Sequence, residues 1–360
     1  SPAQVERAAD MLAAAELPMI HAGSGVIHAG AYDELRRVSE ILHAPVTTSW
    51  AARGVLPETC ETSIPMPYMK LNHEVRNDSD LVLVVGSRLG ETDWWGKAPY
   101  WRRPSEQQMI QVDVDGHVLG SNKPAALTAL ADAKLFLAAL ADALVARTGR
   151  MNLDARRRKV AKYRDTARAE RAKLDEKLTD MAVPMNTGHV AHTCQQVFPE
   201  GSVLIADGGN TAVWAMMFHQ MRVPNTILST FKFGMLGAGA AQALGAAVAR
   251  PETPVCCIIG DGAMGFHPQE VETAVRNHLR VVYLVICDRQ WGMVKMTQQL
   301  ALKPIKTLIR KSLSPEETIN TDLGEIRFDK LGESMGAHGE RVSDPRELKG
   351  AIERSLASGG

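Results

Sequence analysis

Short apolar runs alternate with amphipathic helical stretches along the first third of the chain. The runs "LPMIHAGSGV" (17–26) and "SDLVLVVGSRLGE" (79–91) each break at a glycine turn, as strands do. Residues 3–15 and 32–42 instead place apolar side chains at helical spacing. This alternation is typical of a parallel sheet with helices on both faces. We therefore predict one doubly wound α/β domain over residues 1–150.

A second pattern of the same kind occupies the C-terminal half. The runs "GSVLIADGG" (201–209), "TPVCCIIGDG" (253–262) and "RVVYLVICD" (280–288) are apolar enough to lie inside a sheet, and helical stretches separate them. We predict a second doubly wound parallel domain over residues 184–360. The fold class expected for the chain is therefore α/β.

The segment between the two domains, residues 151–183, has a different composition. Its core, "DARRRKVAKYRDTARAERAKLDEKL" (154–178), is dominated by Arg, Lys, Glu and Asp. We interpret it as a solvated connecting helix stabilised by i,i+4 charge pairs. The acids interleaved with the bases would cancel the field that phosphates require, so the segment does not indicate a nucleic-acid site.

Composition narrows the class of protein further. The chain has 41 basic and 41 acidic residues, so no charge excess points to nucleic acid or a membrane surface. No apolar run approaches the ~20 residues of a membrane helix, and the first residues lack the pattern of a signal peptide. The 5 cysteines are scattered without CxxC spacing, which argues against a disulfide framework or a zinc site. We expect a cytoplasmic protein.

Two acids follow apolar runs in the second domain. Asp261 stands between two glycines after "VCCII", and Asp288 follows "VVYLVIC". The carboxyl ends of parallel strands meet at one edge of a sheet, so both acids should lie at the same edge. Two hard oxygen ligands beside glycine turns suit Mg²⁺ bound to a phosphate-bearing ligand. The alternative is an ordinary turn at Asp261 and a helix cap at Asp288; the spacing of the pair favours the metal site.

These motifs resemble those of a known superfamily. "GDG" (260–262) followed by a polar residue that closes an apolar strand resembles the thiamine diphosphate motif of the acetolactate synthase and 2-oxo acid decarboxylase superfamily. The blocks "APVTTSWAARGVLPE" (44–58), "QVDVDGHVLGSNKPA" (111–125) and "QWGMV" (290–294) are similar to family blocks in family order. The resemblance covers essentially the whole chain, as the middle domain followed by the diphosphate-binding domain.

The resemblance implies a metal site and a cofactor site. Asp261 corresponds to the first Mg²⁺ ligand, Asp288 to the second, and the main-chain carbonyl of Gln290 to the third. It also implies a set of positions along thiamine diphosphate. These cofactor-binding positions are Gly209, Asn210, Thr211, Gly234, Leu236, Gly260, Gly262, Ala263, Trp291, Gly292 and Met293.

Four of these positions have specific roles in the resemblance. Leu236 matches the bulky aliphatic residue that holds the cofactor in its bent shape. The carbonyl of Gly234 would accept a hydrogen bond from the aminopyrimidine. Trp291 and Met293 match residues near the thiazolium and the substrate.

The chain departs from the family pattern in two ways. Position 288 is usually Asn, and here it is Asp, which adds a charge that repels the diphosphate. The family also carries its catalytic glutamate on an N-terminal pyrimidine-binding domain, whereas this chain starts where the middle domain should begin. We therefore expect a piece of a longer protein or one subunit of a split one, which needs a pyrimidine-binding domain or subunit. The catalytic residue is unknown.

The expected activity is thiamine diphosphate- and Mg²⁺-dependent cleavage or formation of a carbon–carbon bond. The substrate class is a 2-oxo acid or a 2-hydroxyacyl compound such as an acyl-CoA, with an acetolactate synthase-like or 2-hydroxyacyl-CoA lyase-like reaction. A homo- or hetero-oligomer is expected. The alternative is a catalytically silent subunit that binds the cofactor or a nucleotide and serves assembly. A dehydrogenase is disfavoured because no complete GxGxxG follows a strand.

The first domain carries a candidate nucleotide site. The turns at 23–25 and 86–88 and the acids Asp113 and Asp132 all follow strand-like runs. They should therefore converge on one crevice at the sheet edge. We predict that FAD or an ADP moiety binds there, because the middle domain of the family sometimes binds such a ligand.

Overall fold

A computed structural model describes residues 1–229, 233–302, 304–310 and 317–359 of the chain. It divides into two compact units, each with its own parallel sheet. Unit 1 comprises Ser1–Lys173 and Met221–Asn225, and unit 2 comprises Leu174–Gln220 and Thr226–Gly360. Both sheets are wholly parallel with flanking helices, which confirms the predicted α/β class.

Unit 1 is built on a five-stranded sheet. Its strands are β1 (Pro18–Ala22), β2 (Val46–Thr48), β3 (Leu81–Val85), β4 (Gln108–Asp113) and β5 (Leu127–Leu130), in the order β2-β1-β3-β4-β5. Its helices are α1 (Pro2–Ala14), α2 (Gly25–Ala29), α3 (Tyr32–Leu42), α4 (Met69–Asp78), α5 (Ala133–Val145) and α6 (Leu153–Asp175). Short 3₁₀ helices lie at Trp50–Ala52, Glu91–Gly96, Thr148–Arg150 and, in unit 2, Glu176–Thr179.

Alternating side chains of this sheet supply two separate apolar cores. Ile20 and Leu83 lie in one core with residues of α1, α3 and α5. Met19 and Val82, their neighbours along β1 and β3, lie in the other with residues of α4 and with Trp101. Strands buried on both faces explain why the sequence shows continuous apolar runs rather than alternation.

The charged helix α6 differs from the predicted solvated linker, because one of its faces is buried. Arg156 is only 1% exposed, and its guanidinium donates hydrogen bonds to four main-chain carbonyls. These acceptors are in Leu42 (3.2 Å), Leu12 (3.0 Å), Ala13 (3.2 Å) and Ala15 (2.6 Å). Arg156 therefore caps the C-terminal ends of α1 and α3, whose last carbonyls have no partner within the helix.

A second buried residue of α6 reinforces this attachment. Tyr163 is fully buried, and its hydroxyl donates to Oδ2 of Asp78 at the end of α4, at 2.8 Å. The exposed face keeps ion pairs at i,i+3 spacing, such as Asp154 with Arg157. Charge composition failed to predict the burial, because a long Arg or Tyr side chain can bury its body while its polar end finds a partner.

Unit 2 is built on a four-stranded sheet. Its strands are β6 (Val203–Asp207), β7 (Ile227–Ser229), β8 (Val255–Gly260) and β9 (Val281–Ile286), in the order β7-β6-β8-β9. Its helices are α7 (Gly188–Val197), α8 (Asn210–Phe218), α9 (Ala238–Ala249), α10 (Asp261–Met264), α11 (Glu270–Arg276), α12 (Gly292–Leu302), α13 (Pro304–Arg310), α14 (Phe328–Ser334) and α15 (Pro345–Ala357).

The core of unit 2 joins the small-residue helix α9 to the central strands. Ala240 and Ala243 are fully buried against Ile205 of β6 and Cys257 of β8. Small side chains on α9 let its backbone approach the sheet closely, which brings the loop before α9 to the carboxyl edge. In the part of the chain that the structure describes, no helix is long and apolar enough to cross a membrane.

Candidate functional site

The strand order of unit 2 creates a crevice between β6 and β8. The chain passes from β6 to β7 on one side of the sheet and from β8 to β9 on the other. The order therefore reverses between β6 and β8, which are paired in parallel from Val203 opposite Val255 to Asp207 opposite Ile259. Ligands of open parallel sheets bind outside the carboxyl ends of strands at such a point.

The acid at the end of β6 is used by the protein itself. Asp207 is 2% exposed, and its Oδ2 accepts a hydrogen bond from the amide of Gly239, at 2.8 Å. A Cβ on Gly239 would lie 2.5 Å from the Cβ of Asp207, so only glycine allows this contact. Asp207 therefore ties the first turn of α9 to the sheet.

Asp261, at the end of β8, holds two turns together. Its Oδ1 accepts from the amide of Gly262 and its Oδ2 from the amide of Arg289, both at 2.8 Å. The carboxylate is largely buried, yet each oxygen has a further lone pair to offer a cation. Because Arg289 follows Asp288, this bond also brings the end of β9 to Asp261.

Asp288 lies beside Asp261 at the carboxyl edge. Its Oδ1 accepts a hydrogen bond from the amide of Gln290, at 3.1 Å. Burial raises the pKa of the Asp288 carboxyl, and the negative charge of Asp261 raises that pKa further. Two carboxylates that oppose each other's ionisation form a site that a divalent cation would stabilise.

The residues after Asp288 cover the two glycine turns. A Cβ on Gly262 would lie 2.7 Å from Cζ3 of Trp291, and a Cβ on Gly209 would lie 2.5 Å from the Cβ of Met293. Both glycines are therefore required by the close approach of α12 and the residue before it. Four of the predicted cofactor positions thus lie together at the crevice.

Three further predicted positions lie next to these turns. A Cβ on Gly292 would lie 2.9 Å from Nδ2 of Asn210 and 3.2 Å from Oδ2 of Asp288. A Cβ on Gly260 would lie 3.0 Å from Oγ1 of Thr211. The first turn of α8 therefore presents Asn210 and Thr211 to the same edge, where the helix N-terminus favours an anion.

The remaining predicted positions are less directly placed. Ala263 is 2% exposed with its side chain in the core, so only its main chain could reach a ligand. Leu236 is partly buried against the same core, and Gly234 is exposed with φ +68°. Nothing here brings Leu236 or Gly234 into contact with the acids, and their roles stay predictions.

The chemistry of the donors fits Mg²⁺ and a diphosphate. Among the residues that the structure describes, no group of three or more His, Cys, Asp and Glu could hold a metal ion. The pair Asp261 and Asp288 therefore needs neutral oxygens to complete a site, such as the carbonyl of Gln290. Mg²⁺ is commonly held in this way, by one or two carboxylates plus substrate phosphates and water.

Lys295 and Asp322 were not predicted from the sequence, yet they lie beside this site. The ammonium of Lys295 forms an ion pair with Oδ1 of Asp322 at 2.8 Å, and the Lys295 side chain is 12% exposed. Lys295 follows Trp291 by four residues on the same helical face. That spacing from the "QWG" block was a usable signal in the sequence.

The corresponding edge of unit 1 has its glycines in mutual contact. The amide of Gly25 donates to the carbonyl of Gly86 at 3.0 Å, and a Cβ on Gly25 would lie 2.6 Å from the Cα of Gly86. Asp113 accepts from the amide of Asp115, and Asp132 caps α5 through the amide of Leu135. These residues share the predicted edge of the sheet, but local bonds already occupy both acids.

Comparison with known protein families identifies the class. The model described as "Thiamine pyrophosphate enzyme, central domain" matches residues 5–140. The model described as "Thiamine pyrophosphate enzyme, C-terminal TPP binding domain" matches residues 207–360. The chain therefore belongs to the thiamine pyrophosphate (thiamine diphosphate) enzyme family, which confirms the family resemblance.

Curated relatives agree with this class. The chain is 28% identical to a probable acetolactate synthase large subunit of Methanocaldococcus jannaschii, over 99% of this chain and 58% of the relative. It is 25% identical to the acetolactate synthase isozyme 3 large subunit of Escherichia coli, over 98% and 59%. It is 28% identical to the 2-hydroxyacyl-CoA lyase of Arabidopsis thaliana, over 99% and 60%. The chain thus spans less than two thirds of the length of these relatives.

Proposed function

We propose that this chain forms part of an enzyme that uses thiamine diphosphate and Mg²⁺ to break or form a carbon–carbon bond. The substrate class is a 2-oxo acid or a 2-hydroxyacyl compound. The observation that carries the proposal is the pair Asp261 and Asp288 at the ends of neighbouring strands, beside glycine turns at the reversal of strand order. Membership of the family supports the choice of cofactor.

The residues of this chain have binding and positioning roles in the proposal. Asp261, Asp288 and the carbonyl of Gln290 hold the metal, and the glycine turns at the crevice accept the diphosphate. Trp291 and Met293 cover these turns and exclude water from them. When bound, thiamine diphosphate supplies the carbanion chemistry that acts on the substrate carbonyl.

A pyrimidine-binding domain or subunit is the partner that we propose. The resemblance assigns the catalytic acid to such a domain, and no residue of this chain matches it. The relatives extend beyond the region that this chain matches, so they have room for further domains. The relatives include both an acetolactate synthase and a 2-hydroxyacyl-CoA lyase, and both reactions are candidates.

We expect residues 1–360 alone to bind thiamine diphosphate with Mg²⁺ but to turn over no 2-oxo acid or 2-hydroxyacyl-CoA. Adding the pyrimidine-binding domain should restore product formation, because it supplies the missing acid. Calorimetric titration measures binding, and chromatography of products from pyruvate and from a 2-hydroxyacyl-CoA measures turnover. Thiamine without the diphosphate is the binding control. Decarboxylation by the isolated chain would contradict the need for a partner. Binding without turnover in the complete protein would favour the silent subunit.

We also propose an adenine nucleotide or FAD site at the carboxyl edge of unit 1. The order of strands reverses between β1 and β3, and the Arg88 side chain is half exposed beside that point. We expect millimolar FAD, ADP or coenzyme A to raise the melting temperature by linkage. Arg88→Gln should weaken this effect, because it removes a cation that can pair with phosphate. If none of the three ligands moves the melting temperature, unit 1 is structural.

A further inference from the structure

Lys295 stands one helical turn beyond the contact between α12 and the acids. Gly292, three residues before it, faces both Asn210 and Oδ2 of Asp288. Residues three apart share a helix face, and helical side chains lean towards the N-terminus. The side chain of Lys295 therefore extends over Gly292 towards Asp288.

The charge of Lys295 reaches the carboxylate of Asp288. Burial and the negative charge of Asp261 raise the pKa of Asp288, whereas the ammonium of Lys295 acts in the opposite direction. The Lys295 side chain is largely buried, so solvent screens this attraction less than it would at the surface. Lys295 is therefore a fixed positive charge beside two carboxylates.

The site needs such a charge because of Asp288. The proposed ligand brings a diphosphate next to Asp261 and Asp288, so the negative charges outnumber those that one divalent cation can neutralise. A neutral amide at position 288 would remove one of them. A cation fixed within one helical turn compensates for the extra carboxylate without occupying the metal position.

We propose that Lys295 is a positioning residue that compensates the charge of Asp288 and thereby favours binding of the Mg²⁺–diphosphate cluster. The inference rests on the proposed function. Asp322 holds the ammonium through the ion pair at 2.8 Å. The cofactor's diphosphate and its metal are the groups that benefit from this charge.

A merely structural role for the same ion pair makes a different prediction. The amide of Trp291 donates to the carbonyl of Thr321, and the amide of Leu323 donates to the carbonyl of Arg289, both at 2.8 Å. The pair of Lys295 and Asp322 could simply strengthen this contact between segments. Loss of either partner would then harm binding equally, whatever residue stands at position 288.

The test is calorimetric titration of the complete protein with thiamine diphosphate at fixed Mg²⁺. Lys295→Met should weaken binding about tenfold, the effect of roughly 1.4 kcal/mol. In combination with Asp288→Asn, the same substitution should cost less than about threefold, because the charge to be compensated is gone. Lys295→Arg should retain most of the affinity, because it keeps the charge. The control is Lys349→Met, which removes an exposed lysine paired with Glu353 and should change nothing.

Asp322→Asn separates the two roles. It keeps an oxygen acceptor for the ammonium but removes a negative charge, so affinity should stay equal or rise. An equal loss in Lys295→Met and Asp322→Asn, or a loss in Lys295→Met that is independent of Asp288→Asn, would overturn the inference. Unchanged binding by Lys295→Met would also overturn it. If the unsubstituted protein does not bind thiamine diphosphate with Mg²⁺, the proposed function itself fails, and the inference fails with it.

Discussion

Asp261→Ala should abolish most of the Mg²⁺-dependent binding of thiamine diphosphate, by about 3 kcal/mol or roughly a hundredfold in affinity. Asp261 is proposed as a metal ligand, and its two oxygens also hold the amides of Gly262 and Arg289. The substitution therefore removes a ligand and loosens both turns that carry the other ligands. Calorimetric titration at several Mg²⁺ concentrations measures the loss.

Substitutions of Asp288 test the same site from the other side. Unit charges ~4 Å apart repel by about 4 kcal/mol at an effective dielectric of 20, before a metal offsets them. Asp288→Asn keeps an oxygen ligand and removes that repulsion, so affinity should be equal or tighter, with a shallower dependence on Mg²⁺. Asp288→Ala loses the ligand and should weaken binding.

A carboxylate of unit 1 provides the control for these variants. Asp113 also ends a parallel strand, but its oxygen accepts from the amide of Asp115 in a local turn. Asp113→Ala should leave binding of thiamine diphosphate unchanged. If Asp288→Ala binds as tightly as the unsubstituted protein at limiting Mg²⁺, then Asp288 is not a ligand and the metal site is wrongly assigned.

Arg156→Met should lower the free energy of unfolding by about 3 kcal/mol, because it leaves buried carbonyls without donors. The guanidinium serves the last turns of α1 and α3 together, where a positive charge also favours the helix dipoles. Methionine fills similar volume, so the loss reports hydrogen bonds and charge rather than a cavity. Denaturation by urea, followed by circular dichroism, measures the change.

Neighbouring residues of α6 supply the matched comparison. Arg158 is exposed, and Arg158→Met should change stability by less than about 0.5 kcal/mol. Arg156→Lys keeps the charge but has a single nitrogen for the four acceptors, so it should fall between the two. Equal stability of Arg156→Met and Arg158→Met would show that the capping contacts contribute nothing.

Local patterns were sufficient for the elements and their class. Helix α3 occupies the predicted residues 32–42, and α1 lies within one residue of the predicted 3–15. Runs that are apolar on both faces predicted parallel strands covered by helices, and both sheets are parallel. The family followed from motifs at fixed spacing, and the two family models confirm it. These features depend on neighbours in the sequence, which a single chain displays.

The placement of candidate residues needed the tertiary structure. The sequence predicted that Asp261 and Asp288 share an edge, but only the strand order puts the end of β6 beside the end of β8. Asp207 and Asp261 look alike as acids before glycines, and only their partners distinguish a structural carboxylate from a candidate ligand. The assigned roles at the site remain predictions.

Burial of charged residues was beyond the sequence for a physical reason. The charged segment that contains Arg156 and Lys295's remote counterpart in α12 both read as polar positions, because composition records a side chain's charge and not its partners. Arg156 is buried since four carbonyls from two distant helices converge on it. Lys295 is shielded since Asp322 lies 27 residues further along the chain and returns to it. Sequence determined which groups carry charge; the fold decided which charges meet.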